Sequence, residues 1–210
     1  MSDNARIAVV DDVAAVRASL KALLETYGHT VETYESAKAF FDGIAGNPPS
    51  CVLFDVRMPG MDGLEAQRLL AKKEPGLPVI IITGHGDIDM AVRAMKEGAF
   101  DFIEKPIDDA KLVSSISSAV NRAAKVKMTE KKRAEVLQKY HRLTKRERDV
   151  FRLVADGYSS LAIASTLSIS IRTVDHHRAS IHAKMEVASL SQLIKMALRI
   201  EEMHDGGGLR

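Results

Sequence analysis

Five short apolar runs, rich in Val, Ile and Phe, alternate with amphipathic segments over the first 122 residues, and no other feature constrains the fold as tightly. Arg6 to Val10, Thr30 to Thr33, Cys51 to Phe54, Val79 to Ile82 and Asp101 to Ile103 read as strands. Val13 to Tyr27, Ser36 to Ala45, Asp62 to Lys73, Ile88 to Glu97 and Asp108 to Arg122 carry helical patterns. Parallel strands need crossover connections, and helices are the usual ones, so this order predicts a parallel sheet covered on both faces. Val52 to Phe54 and Val79 to Ile82 are nearly continuous apolar runs, as strands buried on both faces should be.

The pattern fits a flavodoxin-like, doubly wound (βα)5 domain over residues 1–122, whose functional groups gather at the carboxyl ends of the strands. From Arg122 to Arg142 the chain lacks Gly and Pro and is dense in Ala, Lys, Glu and Arg, which predicts a helical linker over 123–142. Residues 143–210 show no strand signal. Lys145 to Ala155, Ser160 to Leu167, Ile171 to Met185 and Ser189 to Ile200 read as four helices, and the tail Asp205 to Arg210 is expected to fray. The fold class is therefore α/β followed by all-α.

A chain of 210 residues suits two small domains better than one core. Its formal charge of +2 hides an asymmetry: residues 1–122 hold 18 acidic against 13 basic side chains, a net −5, whereas 123–210 carry +7. Such a split suggests that the second part meets a polyanion. The single cysteine, Cys51, excludes an internal disulfide and fits a reducing cytoplasm. No apolar run approaches the roughly 18 residues of a membrane span, and the N-terminus does not read as a secretory leader. A cytoplasmic protein without a membrane partner is expected.

Polar residues mark the strand ends. Asp11 and Asp12 follow the first strand, Asp55 the third, Thr83 ends the fourth run, and Lys105 follows the fifth. Singly, each has a plain explanation, such as Asp12 capping the next helix or Lys105 as a solvated charge. Together they would converge on one crevice. Three clustered carboxylates repel one another unless a cation joins them, and an oxygen-only set suits Mg2+. A lysine ammonium and a threonine hydroxyl beside that ion match phosphoryl oxygens, which makes Asp55 the natural acceptor. No nucleotide loop of the G-x-x-x-x-G-K-[ST] kind is present, and Gly84-His85-Gly86 lacks the third glycine of a dinucleotide fingerprint, so His85 reads as a loop residue.

The strings IAVVDD, LFDVRMPGMDG, IIITGHGD and FIEKP, in this order and spacing, closely resemble the receiver domains of two-component response regulators. The resemblance implies that a sensor histidine kinase phosphorylates Asp55, and that Asp11, Asp12, Asp55 and the Arg57 backbone carbonyl bind Mg2+. It implies that Thr83 and Lys105 hold the phosphoryl oxygens, that Lys105-Pro106 is cis, and that Phe102 occupies an aromatic switch position. Without the resemblance, Phe102 reads as an edge-strand core residue.

In the last domain, Thr144 and Glu147 have capping-box spacing. Ser168-Ile169-Ser170 is a turn of helix-turn-helix length, with Ser170 capping the helix after it. Val174, Ile181 and Met185 share one face of that helix and are expected to pack inward. Thr173, Asp175, His176, Ala179 and Ser180 lie near the opposite face, flanked by Arg172, Arg178 and Lys184. Short polar side chains between cations suit a DNA major groove, although polarity alone equally describes a solvated bundle helix. The stretch LTKRERDVFRLVADGYSSLAIASTLSISIRTVDHHRASIHAKM resembles the NarL/LuxR class of DNA-binding domains, and the whole chain looks most like a FixJ-type regulator. By position, the resemblance implies that Asp175, His176 and Ala179 face bases, with His177 and Arg178 near the backbone.

The expected function is a phosphorylation-dependent transcriptional regulator, not an enzyme beyond self-phosphotransfer and autodephosphorylation on Asp55. It would dimerise when phosphorylated, bind double-stranded promoter DNA and act on RNA polymerase. An aspartyl-phosphate phosphotransfer enzyme is the rival, disfavoured by the basic helical module. A DNA binder controlled without phosphate is disfavoured by the acidic pocket.

Overall fold

The computed structural model describes residues 4–44, 46–84 and 88–205. The readings placed on Met1 to Asp3, Ala45, His85 to Asp87 and the tail from Gly206 lie outside the described residues. The chain divides into two compact units, Met1–Val126 and Lys127–Arg210.

In the first unit β1 (Arg6–Val10), β2 (Thr30–Tyr34), β3 (Cys51–Asp55), β4 (Val79–Thr83) and β5 (Asp101–Glu104) form one parallel sheet in the order β2-β1-β3-β4-β5. Between them run α1 (Ala14–Thr26), α2 (Ala37–Gly43), α3 (Gly63–Lys73) and α4 (Ile88–Lys96), followed by α5 (Asp109–His141). The alternation of side chains along each strand splits the core in two. Ala8, Val10, Val52, Phe54 and Ile81 point to a layer with Phe40 of α2, Leu70 of α3 and Ala94 of α4. Ile7, Val9, Leu53, Ile80 and Ile82 point to the other, with Leu20 and Leu24 of α1 and Leu112 and Ile116 of α5. The doubly wound expectation is met, and four strands each run one residue further than their apolar runs.

That extra residue matters because the strand ends are in step. Val10 lies opposite Phe54, Asp55 opposite Ile82, and Thr83 opposite Glu104. Strand order reverses at β1 and β3, so Asp11 and Asp55 flank the topological switch point.

Helix α5 does not end at Arg122. With no Gly or Pro between Ile107 and Leu143, nothing interrupts it, and every residue from Ala124 to Glu135 is exposed. In the second unit α6 (Lys145–Ala155), α7 (Ser160–Leu167), α8 (Ile171–Met185) and α9 (Leu190–Asp205) enclose a core of Val150, Phe151, Ile163, Val174, Ile181 and Leu193, joined by Val136 and Tyr140. Ser168, at φ +54°, ends α7, and the Ser170 hydroxyl accepts from the Thr173 amide to start α8. The expected capping box is present: Thr144 Oγ1 accepts from the Glu147 amide, and the Glu147 carboxylate accepts from the Thr144 amide. No helix among the described residues is long and apolar enough to cross a membrane.

Candidate functional site

At the carboxyl end of the sheet, Lys105 spans two buried carboxylates. Its Nζ donates to Asp11 Oδ2 at 2.8 Å and to Asp55 Oδ1 at 2.6 Å. The other oxygens are held by backbone: Asp11 Oδ1 accepts from the Val13 amide at 2.8 Å, and Asp55 Oδ2 from the Arg57 amide at 2.7 Å. Thr83 is buried at the end of β4, next in line to Lys105, whose amide donates to the Thr83 carbonyl at 2.7 Å. The Lys105–Pro106 peptide is cis. Phe102 is half-buried on β5 and packs against the core layer that contains Ala94 of α4.

Electrostatics follow from burial. Desolvation pushes the Asp55 carboxyl above its usual range; Lys105 pulls it back only in part, while the Asp11 charge pushes it further up. Burial alone would lower the Lys105 ammonium, but hydrogen bonds to Asp11 and Asp55 outweigh it and raise that group. Two carboxylates that share one ammonium form a pocket built to hold positive charge.

Asp12 is exposed, and it does not cap α1: Val13 is the N-cap residue and no side chain caps the helix. Among the described residues no three acidic, cysteine or histidine side chains stand together as a metal-binding group. The donor chemistry nonetheless fits a hard cation, since Asp11, Asp12 and Asp55 offer only oxygen and two of them already share a cationic partner.

Two residues of this pocket escaped the sequence reading. Arg17 Nη1 donates to the carbonyls of Asp11 at 2.7 Å and Asp12 at 3.0 Å, which fixes the loop that carries both acids. Gly63 opens α3 directly against β3: a Cβ there would overlap the Asp55 carbonyl oxygen. A glycine in the first turn of a predicted helix, where it costs helix stability, was the available signal.

In the second unit Val174, Ile181 and Met185 are buried, as the helical spacing predicts. Arg172, Asp175, His176, Ala179 and Ala183 are exposed on α8, while Thr173, His177 and Arg178 are half-buried. Ala183, one turn beyond Ala179, was not anticipated. Lys184 and Ser180 do not join the outward strip. Lys184 Nζ donates to both oxygens of buried Glu147 at 2.8 and 2.7 Å, and Ser180 Oγ donates to Glu147 Oε1 at 2.5 Å. The reason is that Glu147 faces α8 as well as capping α6, so its charge draws the lysine inward.

A family model for the response regulator receiver domain matches residues 7–117, and one for bacterial regulatory proteins of the luxR family matches 141–197. Transcriptional regulatory protein FixJ of Bradyrhizobium diazoefficiens is 39% identical, covering 98% of this chain and 100% of its own. FixJ of Azorhizobium caulinodans is 42% identical over 94% of each. The chain belongs to the FixJ-type response regulators. Among solved structures, response regulator StyR aligns with a TM-score of 0.85 at 35% identity, over 94% of this chain and 100% of that one. Full-length FixJ from B. japonicum aligns at 0.59 and 40% identity, over 93% and 96%. A receiver followed by a helix-turn-helix DNA-binding domain is the organisation of a transcriptional response regulator, and both parts are present here.

Proposed function

We propose that Asp55 is the phosphoacceptor and that its phosphorylation by a sensor histidine kinase governs binding of promoter DNA by α8. The observation that carries this reading is the Lys105 ammonium held between Asp11 and Asp55 at the carboxyl end of the sheet. An Asp55 carboxylate oxygen forms a bond to phosphorus as the phosphorus–nitrogen bond of the kinase's phosphohistidine breaks, and the electron pair returns to the imidazole. Lys105 and Thr83 then hold phosphoryl oxygens, with the ammonium offsetting the added negative charge. Asp11, Asp12, Asp55 and the Arg57 carbonyl would hold Mg2+, which when bound supplies charge neutralisation between acceptor and phosphoryl oxygens.

The domain boundaries proposed are a receiver at 1–122, a linker at 123–142 and a DNA-binding domain at 143–210. Exposed Ile88, Val92 and Met95 on α4 support a phosphorylation-dependent homodimer through that helix and β5, with Phe102 as the switch residue beside it. Arg172, Thr173, Asp175, His176, His177, Arg178 and Ala179 form the DNA surface, and RNA polymerase is the downstream partner in a cytoplasmic setting. The protein turns over no substrate beyond its own aspartyl phosphate.

The test is labelling with an acyl-phosphate donor in Mg2+. The wild-type chain takes up one phosphoryl group per chain, and Asp55→Ala takes up none. Stoichiometric, Mg2+-dependent labelling of Asp55→Ala would remove the assignment.

A further inference from the structure

Resting on the reading of α8 as the DNA-contacting helix, we infer that Asp175 is a specificity-determining residue that selects a cytosine, held in place by Ser160 and Arg178. Asp175 is exposed at the edge of the outward strip of α8, on the side next to α7. Arg178 Nη1 donates to Ser160 Oγ at 3.3 Å, and that hydroxyl donates to Asp175 Oδ1 at 3.0 Å. The serine thus accepts from a cation and donates to an anion, an arrangement in which each bond polarises the other. Because Ser160 belongs to the first turn of α7, the carboxylate is also steadied by the positive end of that helix.

The carboxylate makes no other hydrogen bond or ion pair among the described residues. It is acceptor-only, and it belongs to a unit whose net positive charge suits a polyanion. Brought beside phosphates without a donor, it would be repelled. Two base edges in the major groove offer an amino donor, cytosine and adenine. Adenine places its N7 acceptor next to that amino group, facing the carboxylate with a like-signed lone pair, whereas cytosine presents only the donor. Ala179, one turn further along and also exposed, adds no bulk that would keep the short Asp175 side chain from the base edge. Ser160 and Arg178 are positioning residues: they hold one oxygen and leave the other to accept.

The experiment selects bound duplexes from a randomised pool with the full chain, treated with acetyl phosphate and Mg2+, and sequences them. The wild type is expected to enrich cytosine at one position of each half-site. Asp175→Asn should move that position to adenine, because a carboxamide matches the paired donor and acceptor of adenine. Ser160→Ala should erode the preference for cytosine, on the order of tenfold. An unchanged consensus with Asp175→Asn would overturn the inference, as would a variant that binds every duplex more tightly without a new preference. A wild-type chain that retains no duplex would fail the DNA-binding reading itself, a result distinct from either.

Discussion

Asp55 is expensive to keep ionised, and that cost has a sign. Burial raises its carboxyl despite Lys105, so its folded-state value lies above the unfolded one. Such a group contributes stability below its unfolded pKa of about 3.9 and loses it as pH rises through the folded value. At neutral pH the ionised form therefore destabilises the receiver. Asp55→Asn is expected to raise the melting temperature at pH 7 in metal-free buffer, with the difference shrinking towards pH 4; calorimetry of both proteins across that range decides it. Gly63 constrains the same residue from the backbone side. A methyl group there collides with the Asp55 carbonyl, so Gly63→Ala must shift either α3 or the acceptor strand. We expect a loss of roughly 1–3 kcal/mol and slower labelling of Asp55 by an acyl-phosphate donor. Wild-type labelling with unchanged stability would show that α3 gives way freely.

Among the elements, α6 and α8 are locked by one buried carboxylate. Burial alone would raise Glu147, yet Lys184, Ser180 and the two Thr144 bonds hold it at about 2. Because the folded value is depressed, the stability it contributes is present above the unfolded value of about 4.3 and is lost as pH falls towards about 2. Glu147→Gln should flatten the pH dependence in that window. It should also cost roughly 2–3 kcal/mol at pH 7, less than a fully buried pair because the Lys184 side chain keeps 34% exposure. Hydrogen exchange of the α8 amides is the measurement; protection equal to wild type at pH 7 would count against the lock. This element also shows what a linear pattern cannot carry. The capping box at Thr144 and Glu147 was legible because its partners are three residues apart. The bond to Lys184, 37 residues away, exists only once α6 packs on α8, and so Lys184 read as a groove-side cation.

At the scale of the whole molecule, legibility follows the same rule. The five strands could be read because residues such as Ile80 and Ile81 are buried on opposite faces of one sheet, which leaves an unbroken apolar run. Asp11, Asp55, Thr83 and Lys105 stood out because polar groups at the ends of such runs have no core reason to be there. Arg17 and Gly63 did not, since each acts on backbone atoms, the carbonyls of Asp11 and Asp12 and of Asp55, a contact that no side-chain pattern marks. Helix α5 was placed correctly at its start, and its Gly- and Pro-free continuation beyond Arg122 was legible as helix from composition; that the two stretches form one unbroken helix from Asp109 to His141 was not, because the exposed part has no packing pattern to tie it to the receiver helix. What remains is how a charge added at Asp55 reaches the other end of the chain. Ile88, Val92 and Met95 recur at helical spacing on the exposed side of α4, while Ala94 and Phe102 tie that helix and β5 to the core layer under the pocket. A new pull on Thr83 and Lys105 can thus bias a packing equilibrium of α4, which a second copy would then capture. Sedimentation at micromolar concentration should show a monomer that becomes a dimer on treatment with acetyl phosphate and Mg2+. Val92→Asp should label at Asp55 as fully as wild type but stay monomeric, because a charge there would be buried unpaired between two copies of α4. An identical mass with and without the phosphoryl donor, at full labelling, would exclude this face as the route by which the receiver speaks to the DNA-binding domain.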